Sequence, residues 1–171
     1  TWPEDAWKYI GGANSWSGMT LDEETGIVYI PTGSASYDFY GGNRIGKNLF
    51  ANTLLALNAK TGERIWHFQF VHHDLWDRDL PAPPNLITIK KDGKKIKAVA
   101  QITKSGHIFV FDRLTGDHIF PVEEFPFPKS ELEGEVAWPT QPLPTKIPPF
   151  ARQKFSKDLI NDMFPNSLAL L

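Results

Sequence analysis

From His72 to Asp79 the chain reads HHDLWDRD, which packs two histidines, three aspartates, one tryptophan and one arginine into eight residues, and LPAPP follows at once. Prolines at that density cannot continue a helix, so these groups sit on a turn or an extended loop. Titratable side chains gathered on one turn can serve two kinds of chemistry: proton transfer through a fixed carboxylate, or ligation of a metal. The transition-metal candidates are His72, His73 and Asp74. Adjacent positions on an extended chain point to opposite faces, so at most one of the histidines can share a site with Asp77. A zinc site is disfavoured on that ground. The better role for the histidines is packing and hydrogen bonding that orient the loop.

The elements that hold this turn are legible from composition and punctuation. With 171 residues, 41% hydrophobic and 22% charged, the chain has the balance of an ordinary globular core. A formal net charge of −2 leaves no basic footprint for nucleic acid. No apolar run approaches the roughly 18 residues that a membrane-crossing helix requires. The opening TWPEDAWKYI has neither a basic n-region nor an apolar h-region, so no secretory signal is read in this stretch. The absence of cysteine excludes disulfides and thiolate metal sites. Six tryptophans, 13 glycines and 14 prolines suit short strands joined by turns, and the expected fold class is all-β.

Three segments repeat: MTLDEETGIVYI, LLALNAKTGERIW and FVFDRLTGDHIF. Their common core is D/N-x-x-T-G, at Asp22 to Gly26, Asn58 to Gly62 and Asp112 to Gly116. A side chain that bonds its own backbone, followed by Gly where positive φ is cheap, is hairpin chemistry, so each copy predicts strand, tight turn, strand. The glycines lie 36 and 54 residues apart, and the longer interval holds a further hairpin turning at Asp92-Gly93 between strands near Leu86 to Lys90 and Ile96 to Thr103. Repeats of this length fit consecutive β-propeller blades, about three of them over residues 1–122; an antiparallel sandwich that reuses a common turn is the competing architecture. Residues 123–171 are proline-rich (EEFPFPKS, WPTQPLPTKIPPF) and read as an irregular connection and surface excursion. Within them FSKDLINDMF predicts a short helix N-capped by Ser156.

LLALNAKTGERIWHF, with Trp66 near its end, resembles the tryptophan-docking repeat of the eight-bladed quinoprotein dehydrogenases, although the third copy carries Phe120 where that family usually has Trp. VHHDLWDRDLPAPP resembles more closely the segment of pyrroloquinoline quinone (PQQ) dependent dehydrogenases that holds the catalytic aspartate, in wording nearest the membrane glucose dehydrogenase branch. The resemblance implies that Asp77 is the general base that takes the substrate's hydroxyl proton. It places Lys104, 27 residues later in ITKSGHIFVFDR, beside the quinone oxygens of the cofactor, and Trp16, in ANSWSGM, as the surface on which the flat cofactor stacks. Without the resemblance, Lys104 would pass for a solvated hairpin lysine and Trp16 for a core residue. His73 is then expected to help position Asp77 or the substrate, with Trp76 adjoining the base and Asp79 and Arg78 as a supporting pair.

One departure concerns the metal. Where alcohol-oxidising relatives have Gly-Asn, whose Asn helps bind Ca²⁺, this sequence has PTGSASYDF, with Ser34 in the Asn position; the Ser34 hydroxyl or Asp38 is the substitute for a hard Ca²⁺ or Mg²⁺ ion. The resemblance further implies a sugar or alcohol substrate, a quinone or cytochrome electron acceptor, a periplasmic or membrane-associated location, and remaining propeller blades that complete the ring. Two other functions compete, a noncatalytic propeller scaffold for protein partners and a relative that binds cofactor without turnover. The Asp77, Lys104 and Trp16 set favours the enzyme over the scaffold.

Overall fold

The computed structural model describes residues 1–160. Nine strands form three antiparallel sheets. The first has β1 (Thr20–Asp22), β2 (Ile27–Pro31), β3 (Thr53–Asn58) and β4 (Arg64–Gln69) in sequence order. The second has β5 (Asn85–Lys91), β6 (Lys94–Ile102) and β7 (Ile108–Asp112), extended by a bridge between Phe111 and His118. The third is a ribbon of β8 (Val122–Pro126) and β9 (Thr140–Pro144). The all-β expectation is met, and the meander within each sheet is that of propeller blades.

Local chemistry fixes the hairpins. At the second turn, Asn58 Oδ1 accepts the backbone N–H groups of Lys60 and Thr61 at 2.9 and 3.1 Å, and Gly62 supplies φ 74°. The third turn repeats this with Asp112, Leu114, Thr115 and Gly116. Asp92 and Gly93 both take positive φ, at 51° and 78°, as a two-residue hairpin loop of the I′ kind requires.

The repeat does not map one turn to one blade. The turns at Gly26 and Gly62 join β1 to β2 and β3 to β4, so both lie in the first sheet, and the 36-residue interval is internal to it. The intervening residues 32–52 leave and re-enter that sheet as a long loop, which the spacing of the turns does not reveal. The third turn follows β7 in the second sheet. The proline-rich region is also more regular than its composition suggests, since β9 carries Pro142 and Pro144 in a two-stranded ribbon where missing donors are tolerated. Of the helix expected over FSKDLINDMF, Lys157–Leu159 form a 3₁₀ turn, Ser156 makes no side-chain cap, Ile160 is already extended, and residues 161–164 lie outside the described residues.

The core lies between the first two sheets. Tyr29, Leu54, Ala56, Trp66, Phe70, Val99, Phe109 and Phe111 are buried there in one cluster. Trp66 does the docking that the repeat implied: its Nε1 donates to Arg113 O at 3.0 Å, and its ring packs so close to the third turn that a Cβ on Gly116 would lie 2.7 Å from Cδ2. A second tie is the buried pair of Arg113 Nη1 and Asp22 Oδ2 at 3.3 Å. Burial pushes the Asp22 carboxyl up, but hydrogen bonding from Thr25 and the Arg113 charge outweigh it and hold the group below its ordinary value.

Candidate active site

The 70–80 loop leaves β4 and is pinned by buried Phe70, Val71, Leu75 and Leu80. Its polar groups turn two ways. Asp74 is buried, and its carboxylate accepts the backbone N–H groups of Trp76 and Arg78 at 2.9 and 2.6 Å. Asp77, between those two residues, adopts φ 56°, a left-handed conformation that Asp tolerates better than most residues. Its side chain emerges 29% exposed toward Lys104.

Lys104 sits in the turn between β6 and β7. Its Nζ lies 2.7 Å from Asp77 Oδ2 and 3.4 Å from Asp79 Oδ2, so one cation bridges both carboxylates. The hydrogen bond to Asp77 leads the causes that raise the Lys104 ammonium above the usual lysine range, and the Asp79 charge adds to it. Lys104 N also donates to Asp79 O at 3.3 Å. The opposite oxygen, Asp79 Oδ1, accepts Ser34 N–H at 2.5 Å. Gly33 is the close point of this arrangement: a Cβ there would lie 2.6 Å from Asp79 Oδ1 and 3.1 Å from Trp16 Nε1. Trp16, 53% exposed, therefore stands beside the Asp79 carboxylate with much of its indole open.

Asp77, Asp79, Lys104, Ser34 and Trp16 are thus brought together. Beside them is an open cleft of about 360 Å³ lined by Trp76, Asp77, Arg78, Lys104, Ser105 and residues 151–153. The last segment is held to the Lys104 turn by Phe150 N–H on Gly106 O at 2.8 Å and by Gln153 Nε2 on Ser105 O at 2.8 Å. Asp38 is exposed, and its carboxyl is raised first by desolvation and then by the charges of Asp77, Asp79 and Asp74.

Other expectations need correcting. Asp79 and Arg78 do not pair: Asp79 faces Lys104 and Ser34, whereas the Arg78 guanidinium stacks 4.5 Å from the Trp76 ring centroid and 5.7 Å from that of Phe127. His73 is turned away from Asp77. Its Nδ1 lies 2.8 Å from Gly46 O and 3.0 Å from Asn48 Oδ1, and its buried Nε2 has no partner among the described residues. His72 joins Gln69 Oε1 and Glu124 Oε1, which ties the loop to the β8–β9 ribbon. Burial holds both imidazoles below the ordinary histidine value. Among the described residues no cluster of three or more His, Asp or Glu side chains is arranged to hold a metal.

The residue that sequence reasoning passed over is Asn52. It is fully buried, adopts φ 48°, and its Nδ2 donates to Asp74 Oδ2 at 2.8 Å and Arg78 O at 3.0 Å. An Asn inside LFANTLLAL carries no local signal, since its partners lie more than 20 residues away.

The side chains thus gathered offer an aromatic face, a cation and carboxylates able to accept a proton. Residues 1–169 match the family described as PQQ: Glucose/ethanol/alcohol dehydrogenase, beta-propeller domain. The chain belongs to this family. It is 43% identical over 131 residues to the quinoprotein glucose dehydrogenase of Escherichia coli, covering 76% of this chain and 16% of that protein. It is 42% identical over 142 residues to the quinate/shikimate dehydrogenase (quinone) of Acinetobacter baylyi, covering 82% of this chain and 18% of that protein. The quinohemoprotein alcohol dehydrogenase of Comamonas testosteroni superimposes with a TM-score of 0.64 at 29% identity, over 82% of this chain and 21% of that structure. This PQQ-family chain therefore spans about one sixth of the length of the curated relatives it matches. None of its described helices is long and apolar enough to cross a membrane.

Proposed function

We propose that this chain supplies the proton acceptor, a cation and the stacking floor of a PQQ-dependent dehydrogenase that oxidises a sugar or an alcohol. The observation that carries this reading is the Lys104 bridge between Asp77 and Asp79, with Asp79 in turn tied to Ser34 beside Trp16. A scaffold needs Trp66 docked on the Gly116 turn, but it has no use for this set.

In the reaction, Asp77 takes the proton from the substrate hydroxyl while the hydride leaves the carbon that bears that hydroxyl, so an alcohol becomes a carbonyl and a cyclic sugar a lactone. PQQ, when bound, supplies the two-electron acceptor for that hydride. Trp16 offers the exposed indole face for a planar ring, and the Lys104 ammonium stabilises negative charge that develops at its edge. The residues present fit this group: the Ser34 hydroxyl is buried without a partner among the described residues, and Gly33 keeps the space beside Trp16 clear of a side chain. A Ca²⁺ or Mg²⁺ ion would supply Lewis-acid polarisation, with oxygen from Ser34 or Asp38 and further ligands from the remaining blades. We assign the whole protein to the periplasmic side of the membrane, passing electrons to a quinone or cytochrome.

The test is a dye-linked dehydrogenase assay with glucose and simple alcohols on the complete protein, reconstituted with PQQ and Ca²⁺, with cofactor occupancy measured separately. Asp77→Asn should lower turnover by about 10² to 10⁴-fold at unchanged occupancy. Lys104→Ala should slow cofactor reduction, and Trp16→Ala should lower occupancy first. Wild-type turnover in Asp77→Asn at equal occupancy would remove Asp77 as the base. The isolated chain should bind PQQ weakly, because an enclosed cofactor needs walls from the whole ring; titration by Trp fluorescence checks this.

A further inference from the structure

We infer that Asp74 and Asn52 are a positioning pair for Asp77, setting the direction of the base through the two residues that flank it. This rests on the assignment of Asp77 as the proton acceptor. The Asp74 carboxylate is buried and bonded on both oxygens: Oδ1 takes the N–H of Trp76 at 2.9 Å, and Oδ2 takes the N–H of Arg78 at 2.6 Å and Asn52 Nδ2 at 2.8 Å. The N–H groups of the two residues that flank Asp77 are therefore held by one carboxylate. Asn52 completes the clamp by also donating to Arg78 O at 3.0 Å, so both backbone polar groups of Arg78 are tied. With its neighbours fixed, Asp77 is confined to its left-handed φ of 56° and cannot relax to the extended region that a free loop would favour.

The clamp also registers the base against the rest of the site. Asn52 N–H donates to Gly33 O at 2.8 Å, and Gly33 is the residue wedged between Asp79 and Trp16. A path of hydrogen bonds thus runs from the floor segment through Asn52 and Asp74 to the peptides of the base. Burying a carboxylate is costly unless donors surround it, and here every bond to the Asp74 carboxylate ends on Asn52 or on the loop it shapes. From behind, buried Arg44 fixes the same residue by donating from Nη2 to Asp74 O at 2.5 Å.

A residue that acts through Asp77 has a distinctive signature: its loss matters while the base is present and ceases to matter once the base is gone. The experiment is single-turnover reduction of bound PQQ by substrate in the complete dehydrogenase, with occupancy matched, in a double-mutant cycle. Asp74→Asn replaces one acceptor oxygen by an NH₂ group that faces donors, and it should slow reduction by about 10 to 10²-fold, the scale of a roughly 1 Å misplacement of a reacting group. In the Asp77→Asn background the same change should cost less than about 2-fold. Asn52→Gly provides a second cycle should Asp74→Asn fail to fold, because Gly accepts the φ of 48° while losing both side-chain bonds. Equal slowing in both backgrounds, or none in the wild-type background, overturns the positioning role and leaves the base assignment standing. An Asp77→Asn enzyme that reduces PQQ at the wild-type rate overturns both.

Discussion

The Thr-Gly turns and the loop that carries Asp77 solve the same problem, a reversal of chain direction, with different shares of local and distant bonds. In the turns, the capping oxygen of Asp22, Asn58 or Asp112 bonds N–H groups two or three residues on, and Gly takes the positive φ. In the loop that carries Asp77, Asp74 also bonds N–H groups two and four residues on, but His73 and Asp77 take positive φ without being Gly, and further bonds reach to Asn52, Ser34, Gly46 and Lys104. The difference teaches that a local turn is interchangeable and serves stability, whereas a turn held from a distance can hold a reactive carboxylate in an uncommon conformation.

The largest effect is expected at the one Thr-Gly turn whose capping residue also reaches another sheet. Arg113→Met would leave the buried Asp22 carboxylate unpaired and should cost about 3–5 kcal/mol in denaturant unfolding. Gly116→Ala should come next, at about 2–4 kcal/mol, because it adds a clash with the Trp66 ring to the left-handed penalty. Acid should separate the two regions. Burial holds His72 and His73 below their ordinary value, so the unfolded chain takes up protons first and stability falls as pH drops below about 6.5, by up to roughly 1.4 kcal/mol per pH unit for each group. Asp22 is depressed too, and its contribution persists until pH falls below about 4. Hydrogen-exchange protection factors at pH 5 should therefore drop at Trp76 and Arg78 before they drop at the turns. The smallest effect is Gly62→Ala, about 1–2 kcal/mol, since a Cβ there meets nothing and the φ of 74° alone is penalised. Equal losses for Gly62→Ala and Gly116→Ala would show that blade docking through Trp66 contributes little.

How much was legible in the sequence follows the same division. The hairpins at Gly26, Gly62, Gly93 and Gly116 were readable because Asp or Asn with Gly carries its geometry within four or five residues. The placement of two turns in one sheet was not, because the pairing of β2 with β3 closes over the long 32–52 loop and leaves no periodic trace. At the site, the union of Asp77, Lys104 and Trp16 followed from their resemblance to a family segment. The bonds from Asp74 to the N–H groups of Trp76 and Arg78 are local, but the role of Asn52 depends on contacts across more than 20 residues, which no local pattern encodes. Arg78 went astray for a related reason: consecutive residues diverge, and its guanidinium found the aromatic faces of Trp76 and Phe127 while Asp79 turned to Lys104.

The central claim is that the loop presents Asp77 as the proton acceptor for hydride removal. It is tested most directly by the rate of the first turnover: PQQ-loaded complete protein is mixed with glucose or an alcohol, and reduction of the cofactor is followed by its absorbance in wild type and Asp77→Asn at equal occupancy. Asp77→Asn should slow this step by about 10² to 10⁴-fold, with a deuterium isotope effect on the carbinol hydrogen showing that hydride transfer is being observed. Reduction at the wild-type rate in Asp77→Asn, with the isotope effect intact, would contradict it.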